Sequence, residues 1–167
     1  MRILIIKTSS LGDVIHTLPA LMDAKRAYPN AQFDWLIEES FAEIPLSHPA
    51  IHQVHTLTWR TWVKARQITA IFKFFAQLRK LPRYDLIIDA QGLLKSALMA
   101  RCVSGVRHGL DRQSLREPLA RFFYQVQHSA PKNQHAVERT RQLFARALNY
   151  PYHAHTPVEY GYSERLD

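Results

Sequence analysis

Two short runs, ILII at residues 3–6 and LIID at 86–89, set the strongest limit on how this chain folds. Neither alternates apolar with polar residues, so both faces of each strand must be covered, as in parallel sheets with helices on both sides. The other apolar residues agree with that reading. Strands are expected at Arg2–Lys7, Gln32–Glu38, Gln53–Thr58 and Asp85–Asp89, with a weaker one at Val106–Gly109. Helical spacing predicts helices over Asp13–Tyr28, Trp62–Lys80, Leu93–Val103, Leu115–Tyr124 and Gln134–Leu148, and a helical turn near Phe41–Ile44. Pro19 falls inside the first helical pattern and predicts a kink there. Strand–helix alternation with short connections gives right-handed βαβ units, hence an α/β, Rossmann-like parallel sheet flanked by helices.

A chain of 167 residues suffices for one domain with a real core. The periodic pattern runs through residue 150. Segment 151–167 carries two prolines and no periodicity, and reads as a connector leaving the domain. The N-terminal apolar run is cut off by Lys7 after four residues and reads as a strand rather than a secretory signal. No apolar stretch approaches the roughly 20 residues of a membrane span. The single cysteine, Cys102, fits a reducing cytoplasm and a packed position. Nine histidines are present, but neither His48/His52 nor His153/His155 has the partners of a metal site, so no metal is expected.

The formal net charge is +8, and it is unevenly spread. Between Glu43 and Asp85 no acidic residue occurs, while Arg60, Lys64, Arg66, Lys73, Arg79, Lys80 and Arg83 do. An uncompensated cluster of this kind attracts phosphate, nucleic acid or an anionic membrane.

Ligands of open parallel sheets bind beyond the carboxyl ends of the strands. The residues that follow the expected strands are polar or charged: Thr8 to Asp13, Glu38 to Ser40, then Arg60 and Lys64, then Asp89 to Gly92, then Asp111, Arg112 and Arg116. Asp13, at the start of a helix, reads locally either as a cap, with Ser10-x-x-Asp13 resembling a capping box, or as a catalytic base. The N–H groups of Ser9 to Gly12 could hold a phosphate oxygen. Neither a P-loop nor GxGxxG is present. Asp89 and Gln91 suit sugar hydroxyls or helix capping. His135 and Arg139, four apart on the last helix, suit an anion or an ordinary solvated face.

Taken together, MRILIIKTSSLGDVIHTLPAL, FDWLIEESFAEIP, YDLIIDAQGLLKSAL, VRHGLDRQSLREPLARFFY and QHAVERTRQLFARALNY resemble the heptosyltransferases of glycosyltransferase family 9. The resemblance implies the GT-B fold, with residues 1–150 as its N-terminal, acceptor-binding domain and 151–167 leading toward a C-terminal donor-binding domain. It implies inverting transfer of L-glycero-D-manno-heptose from ADP-heptose to Kdo of the lipopolysaccharide core. That reaction takes place at the cytoplasmic face of the Gram-negative inner membrane, without a cofactor. Asp13 would then be the general base. Ser9, Ser10 and Gly12 would face the donor diphosphate. Arg60, Lys64, Asp89, Gln91, Arg116, His135 and Arg139 would hold the Kdo-lipid A acceptor. Thr61 and Val63 depart from the resemblance, standing where the family can carry arginines. On its own the chain is expected to bind ADP-heptose weakly and not to turn over. The competing expectations are a nucleic-acid-binding domain and a non-catalytic domain that sits on an anionic membrane.

Overall fold

The computed structural model describes residues 1–162. Strand β1 (Arg2–Ile6) lies near the middle of a six-stranded sheet, with β2 (Gln32–Glu38) on one side and β4 (Leu86–Asp89) on the other. Beyond β2 lies β3 (Ile51–Leu57); beyond β4 lie β5 (Val106–Leu110) and β6 (Val126–His128). The order β3-β2-β1-β4-β5-β6 is parallel at every pairing. It reverses direction of travel between β1 and β4, which makes a crevice there.

The unbroken apolar run in β1 is explained by two cores. Ile3 and Ile5 pack with α2 (Leu18–Ala27) and α7 (Ala136–Leu148) on one face. Leu4 and Ile6 pack with α5 (Ile68–Leu78) and α6 (Leu94–Cys102) on the other. All four are fully buried, and each contributes about 1.5–3 kcal/mol by leaving water. On the first face, Arg141 of α7 is locked to Asp23 of α2 through contacts of 2.6 and 3.3 Å.

Three expected helices differ. The pattern over Asp13–Tyr28 is two helices, α1 (Leu11–Ile15) and α2. Pro19 has no N–H to offer the Ile15 carbonyl, so the first helix stops and a new one starts with proline in its first turn, where no donor is required. The pattern over Trp62–Lys80 divides into α4 (Trp59–Lys64) and α5, with Arg66 between them at φ 52°. That bend folds α4 back so that Trp62 meets Phe74 at 5.3 Å between ring centroids, and Trp59 meets Phe75 at 6.2 Å. Over Leu115–Tyr124 only a 3-10 turn, Pro118–Phe123, is present. Glu117, held extended before Pro118, cannot join a helix running in from Leu115. The turn near Phe41–Ile44 is a 3-10 turn, Glu39–Phe41, followed by α3 (Glu43–Leu46). Strand β6 escaped the sequence pattern because it is three residues long and largely exposed.

Residues 151–162 lie back along the domain instead of running free of it. Glu159 pairs with Arg26 at 2.9 Å, Tyr160 offers its carbonyl to His48 Nε2 at 2.9 Å, and Tyr162 donates to the Ile44 carbonyl at 2.6 Å. The remainder of the expected connector, 163–167, lies outside the described residues.

Candidate active site

At the crevice between β1 and β4, the loop after each strand is held by the other. Gln91 Oε1 accepts the N–H of Thr8 at 2.9 Å and of Ser9 at 3.2 Å. Gln91 is itself fixed by Asp89, whose Oδ1 accepts the N–H groups of Gln91 and Gly92 at 3.0 and 3.1 Å. Asp89 Oδ2 takes the hydroxyls of Ser96 at 2.9 Å and Tyr124 at 2.7 Å. Tyr124 reaches it across Gly109, where any Cβ would stand 2.3 Å from the Tyr124 ring. Burial pushes the Asp89 carboxyl up, against four donors that favour its ionised form.

Asp13, in the first turn of α1, lies beside this latch. Its Oδ2 accepts both the N–H and the hydroxyl of Ser10, each at 3.1 Å. Its Oδ1 has no hydrogen-bond partner among the described residues, so the capping and the free carboxylate oxygen coexist. Partial burial raises the Asp13 pKa. The Ser10 N–H, Lys7, the Ser10 hydroxyl and His16 outweigh burial and bring it below the usual aspartate value.

A cavity of about 490 Å³ opens in front of Asp13. It is closed below by Ala90 to Leu93, on one side by Leu110 and Ser114 to Arg116, and on the other by α7 through Ala136, Arg139, Thr140 and Leu143. Its charged lining is Asp13 against Lys7, Arg116, Lys132 and Arg139. Lys7 is nearly buried, its Nζ donating to the Ala90 carbonyl at 3.2 Å, and burial lowers its pKa despite the pull of Asp13 and Asp89. Arg139 is steadied by the carbonyls of Ser114 at 2.6 Å and Ala130 at 3.3 Å, and burial lowers its pKa also. The side chains of Arg116 and Lys132 donate to no group among the described residues, so both are free to meet an anion.

The other expected site residues divide. Gln91 lines the cavity, with its Nε2 free of protein partners among the described residues. Asp89 does not reach the cavity: it is fully buried and holds the loop that does. Ser9, Ser10 and Gly12 flank the cavity without lining it. The N–H groups of Ser9 and Ser10 are taken by Gln91 and Asp13, which removes them as phosphate donors. Gly12 faces open space, with nothing within 4 Å of where a Cβ would stand. His135 caps α7 through Nδ1, which accepts the Val137 N–H at 3.3 Å, and its ring meets His16 edge-on at 5.2 Å. It stands beside the cavity rather than in it. Arg60 and Lys64 are exposed on α4, outside the cavity; the Arg60 N–H caps onto Glu38 and its guanidinium lies over Phe41. Their strand, β3, ends two positions away from the crevice, so a place after a strand was not enough to put them in it. Lys7 and Lys132 were not among the residues expected. Lys7 had a readable signal, a lysine ending an otherwise fully apolar strand at its carboxyl edge. Lys132 lies on an irregular loop and had none.

The profile of glycosyltransferase family 9 (heptosyltransferase) matches residues 71–165. Lipopolysaccharide heptosyltransferase 1 of Escherichia coli K12 is 53% identical over 90% of this chain and 48% of its own length. Its counterpart in Pseudomonas aeruginosa is 57% identical over 90% of this chain and 44% of its own. The chain thus spans about half the length of the curated relatives it matches. A structure of the E. coli heptosyltransferase WaaC with ADP superimposes at a TM-score of 0.89, with 51% identity, over 96% of this chain and 51% of that one. A family 9 glycosyl transferase from Veillonella parvula, 18% identical at a TM-score of 0.70, shares the fold. The sheet is accordingly that of the GT-B heptosyltransferases, and the chain belongs to glycosyltransferase family 9.

Proposed function

We propose that this chain is the acceptor-binding half of an inverting glycosyltransferase. The enzyme moves L-glycero-D-manno-heptose from ADP-heptose to Kdo of the lipopolysaccharide inner core. The observation that carries the reading is one ionised carboxylate, Asp13, facing a cavity whose other charges are Lys7, Arg116, Lys132 and Arg139. Such a cavity draws in an acceptor that carries carboxylates and phosphates, and its cations orient that acceptor. The WaaC structures contain ADP and ADP-2-deoxy-2-fluoro heptose, which supports the donor class.

In this reading the unpartnered Asp13 Oδ1 takes the proton of a Kdo hydroxyl as that oxygen attacks the anomeric carbon of the heptose. The bond from that carbon to the diphosphate breaks on the opposite face. ADP leaves with the bonding pair, and the anomeric configuration inverts. A base of depressed pKa is adequate because the diphosphate is a good leaving group and position does the rest. Ser9, Ser10 and Gly12 shape the loop that the donor diphosphate passes, and most nucleotide contacts come from a second domain of the kind the longer relatives have room for.

No helix of the described residues is long and apolar enough to cross a membrane. Along α4, α5 and the bend between them, however, Val63, Ile68 and Phe72 are exposed beside Lys64, Arg66 and Lys73. That mixture fits peripheral contact with the anionic, cytoplasmic face of the inner membrane. Nucleic acid fits less well, because the cavity lining contains no aromatic side chain on which a base could stack.

The test joins this chain to the C-terminal half of its E. coli relative and follows heptose transfer to Kdo-lipid A. Asp13→Asn should lower kcat by about 10³-fold, within the range for loss of a general base, and leave acceptor affinity within about twofold. Unimpaired transfer by Asp13→Asn overturns the base. Binding of RNA in preference to Kdo-lipid A overturns the whole reading.

A further inference from the structure

Four arginines crowd a second hollow on the far side of the sheet. It has a volume of about 790 Å³ and is lined by Arg79, Arg83, Arg101 and Arg107 together with Ser104, Gly105 and Gln125. The arginines come from separate elements: the end of α5, the turn after it, the last turn of α6, and β5. The hollow lies before the start of β4 and β5, whereas the Asp13 cavity lies beyond their ends. A four-residue strand separates the two by about 13 Å.

No carboxylate among the described residues neutralises this cluster: none of the four arginines pairs with one. Asp85, close by in sequence, is outside the lining and accepts the Arg2 N–H at 2.7 Å. Arg107 alone is anchored, its Nε donating to the Phe123 carbonyl at 2.8 Å. The Arg79, Arg83 and Arg101 side chains donate to no group among the described residues, and the Ser104 hydroxyl is unpartnered there too. Burial lowers the Arg107 pKa and the neighbouring Arg101 charge lowers it further, so the two guanidinium groups crowd one another. Like charges held together without a counter-charge cost stability, and a ligand that relieves the repulsion gains that energy on binding.

We propose that this hollow is a phosphate-binding site, separate from the transfer cavity, that takes a diphosphate or two adjacent phosphate groups. Guanidinium forks match phosphate oxygens two at a time. A phosphomonoester carries about −1.5 to −2 at neutral pH, so two such groups balance four arginines. Ser104 adds a hydroxyl donor. The ligand is the phosphate of a lipid headgroup or of a soluble phosphorylated compound.

The experiment titrates inorganic diphosphate into the full chain, with the transfer cavity weakened by Arg116→Gln and Lys132→Gln, its two cations without protein partners among the described residues, so that the second site dominates the reading. Binding should persist in that background. Adding Arg83→Gln and Arg101→Gln should weaken it by about tenfold or more, the scale of a lost charge-assisted hydrogen bond. Affinity unchanged by those two substitutions overturns the proposal, as does loss of all binding when the transfer cavity alone is weakened. Because both side chains are exposed and unbonded, the variants are expected to fold. Arg101→Gln alone should raise the ligand-free Tm and shrink the diphosphate-induced Tm shift; a lowered ligand-free Tm overturns the repulsion on which the site is argued. A parallel arm uses vesicles of phosphatidic acid in phosphatidylcholine. Vesicle binding that falls with Arg83→Gln and Arg101→Gln supports a lipid phosphate, and vesicle binding indifferent to them supports a soluble one. The site does not depend on the heptosyltransferase reading, so failure of either leaves the other standing.

Discussion

The transfer cavity and the α4–α5 limb are both cationic, but their cations do different things. In the cavity, Lys7 and Arg139 are held by backbone carbonyls at the ends of buried elements, and they surround a single carboxylate. On the limb, Lys64, Arg66 and Lys73 stand exposed beside exposed apolar side chains, with no carboxylate in the segment. Charge alone does not make a site. A rigid frame around it does, and that frame is built by the Asp89–Gln91 latch. The comparison is broken most severely by removing the latch. Gln91→Leu leaves the Thr8 and Ser9 N–H groups without their acceptor. Unsatisfied partly buried donors should cost about 1–3 kcal/mol of stability, read as a lower denaturant midpoint. Transfer by the joined enzyme should fall about 100-fold at temperatures where it stays folded, because a loop that moves by an ångström misplaces Asp13. Full activity in Gln91→Leu would mean that the latch does not position the base.

A milder comparison exchanges charges between the two regions. Arg116→Gln with Lys132→Gln should raise KM for the anionic acceptor about tenfold or more and leave kcat largely intact, since both side chains are free to bind and neither bears on Asp13. Lys64→Gln with Lys73→Gln should do the reverse in kind. Affinity for anionic vesicles should fall by roughly 1 kcal/mol per charge, while KM for a soluble, delipidated acceptor stays put. If the limb pair raises that KM as much as the cavity pair does, the two regions form one acceptor surface.

The cavity is sharpened by acidity. Because the folded pKa of Asp13 is depressed, its carboxylate stays ionised as pH falls below the usual aspartate value, and transfer should keep its rate into that range. By the same linkage, whatever stability Asp13 contributes is present above its unfolded pKa and is lost as pH falls through the folded one. Ser10→Ala removes the hydroxyl from Oδ2 but keeps the Ser10 N–H and Lys7. The acid limb of the rate profile should therefore move toward higher pH. An acid limb that does not move would place Asp13 outside the rate-determining proton transfer.

Most of the sheet was legible because its central strands are apolar on both faces, a pattern few other structures produce. One edge was not: β6 is three residues long and largely exposed, and such a strand carries little apolar signal, whereas β3, half exposed, was still readable at Gln53–Thr58 and lies at Ile51–Leu57. Asp13 could be placed at the crevice from its position after the first strand. Asp89, equally well placed by that logic, turns inward because Tyr124 and Ser96 supply donors from 35 and 7 residues away, and nothing local announces them. Arg60 and Lys64 followed a strand too, but one at the edge of the sheet. Which strand ends share a crevice depends on strand order, and that order is a property of the folded chain.

The bend between α4 and α5 offers the smallest expected effect. Arg66 holds φ 52°, a left-handed conformation that costs a side-chain-bearing residue about 1–2 kcal/mol. The conformation persists because it returns Trp59 and Trp62 to the Phe74–Phe75 edge of α5. Glycine adopts it without that cost, but gives back about 0.4–1 kcal/mol through the greater freedom of the unfolded chain. Arg66→Gly should therefore stabilise the domain by between nothing and about 1.6 kcal/mol, seen as a small rise in denaturant midpoint with an unchanged slope. It should also loosen vesicle binding slightly through the lost charge while leaving the cavity's acceptor KM alone. A clear destabilisation would mean that the Arg66 side chain, exposed as it is, holds the limb together in a way its backbone does not reveal.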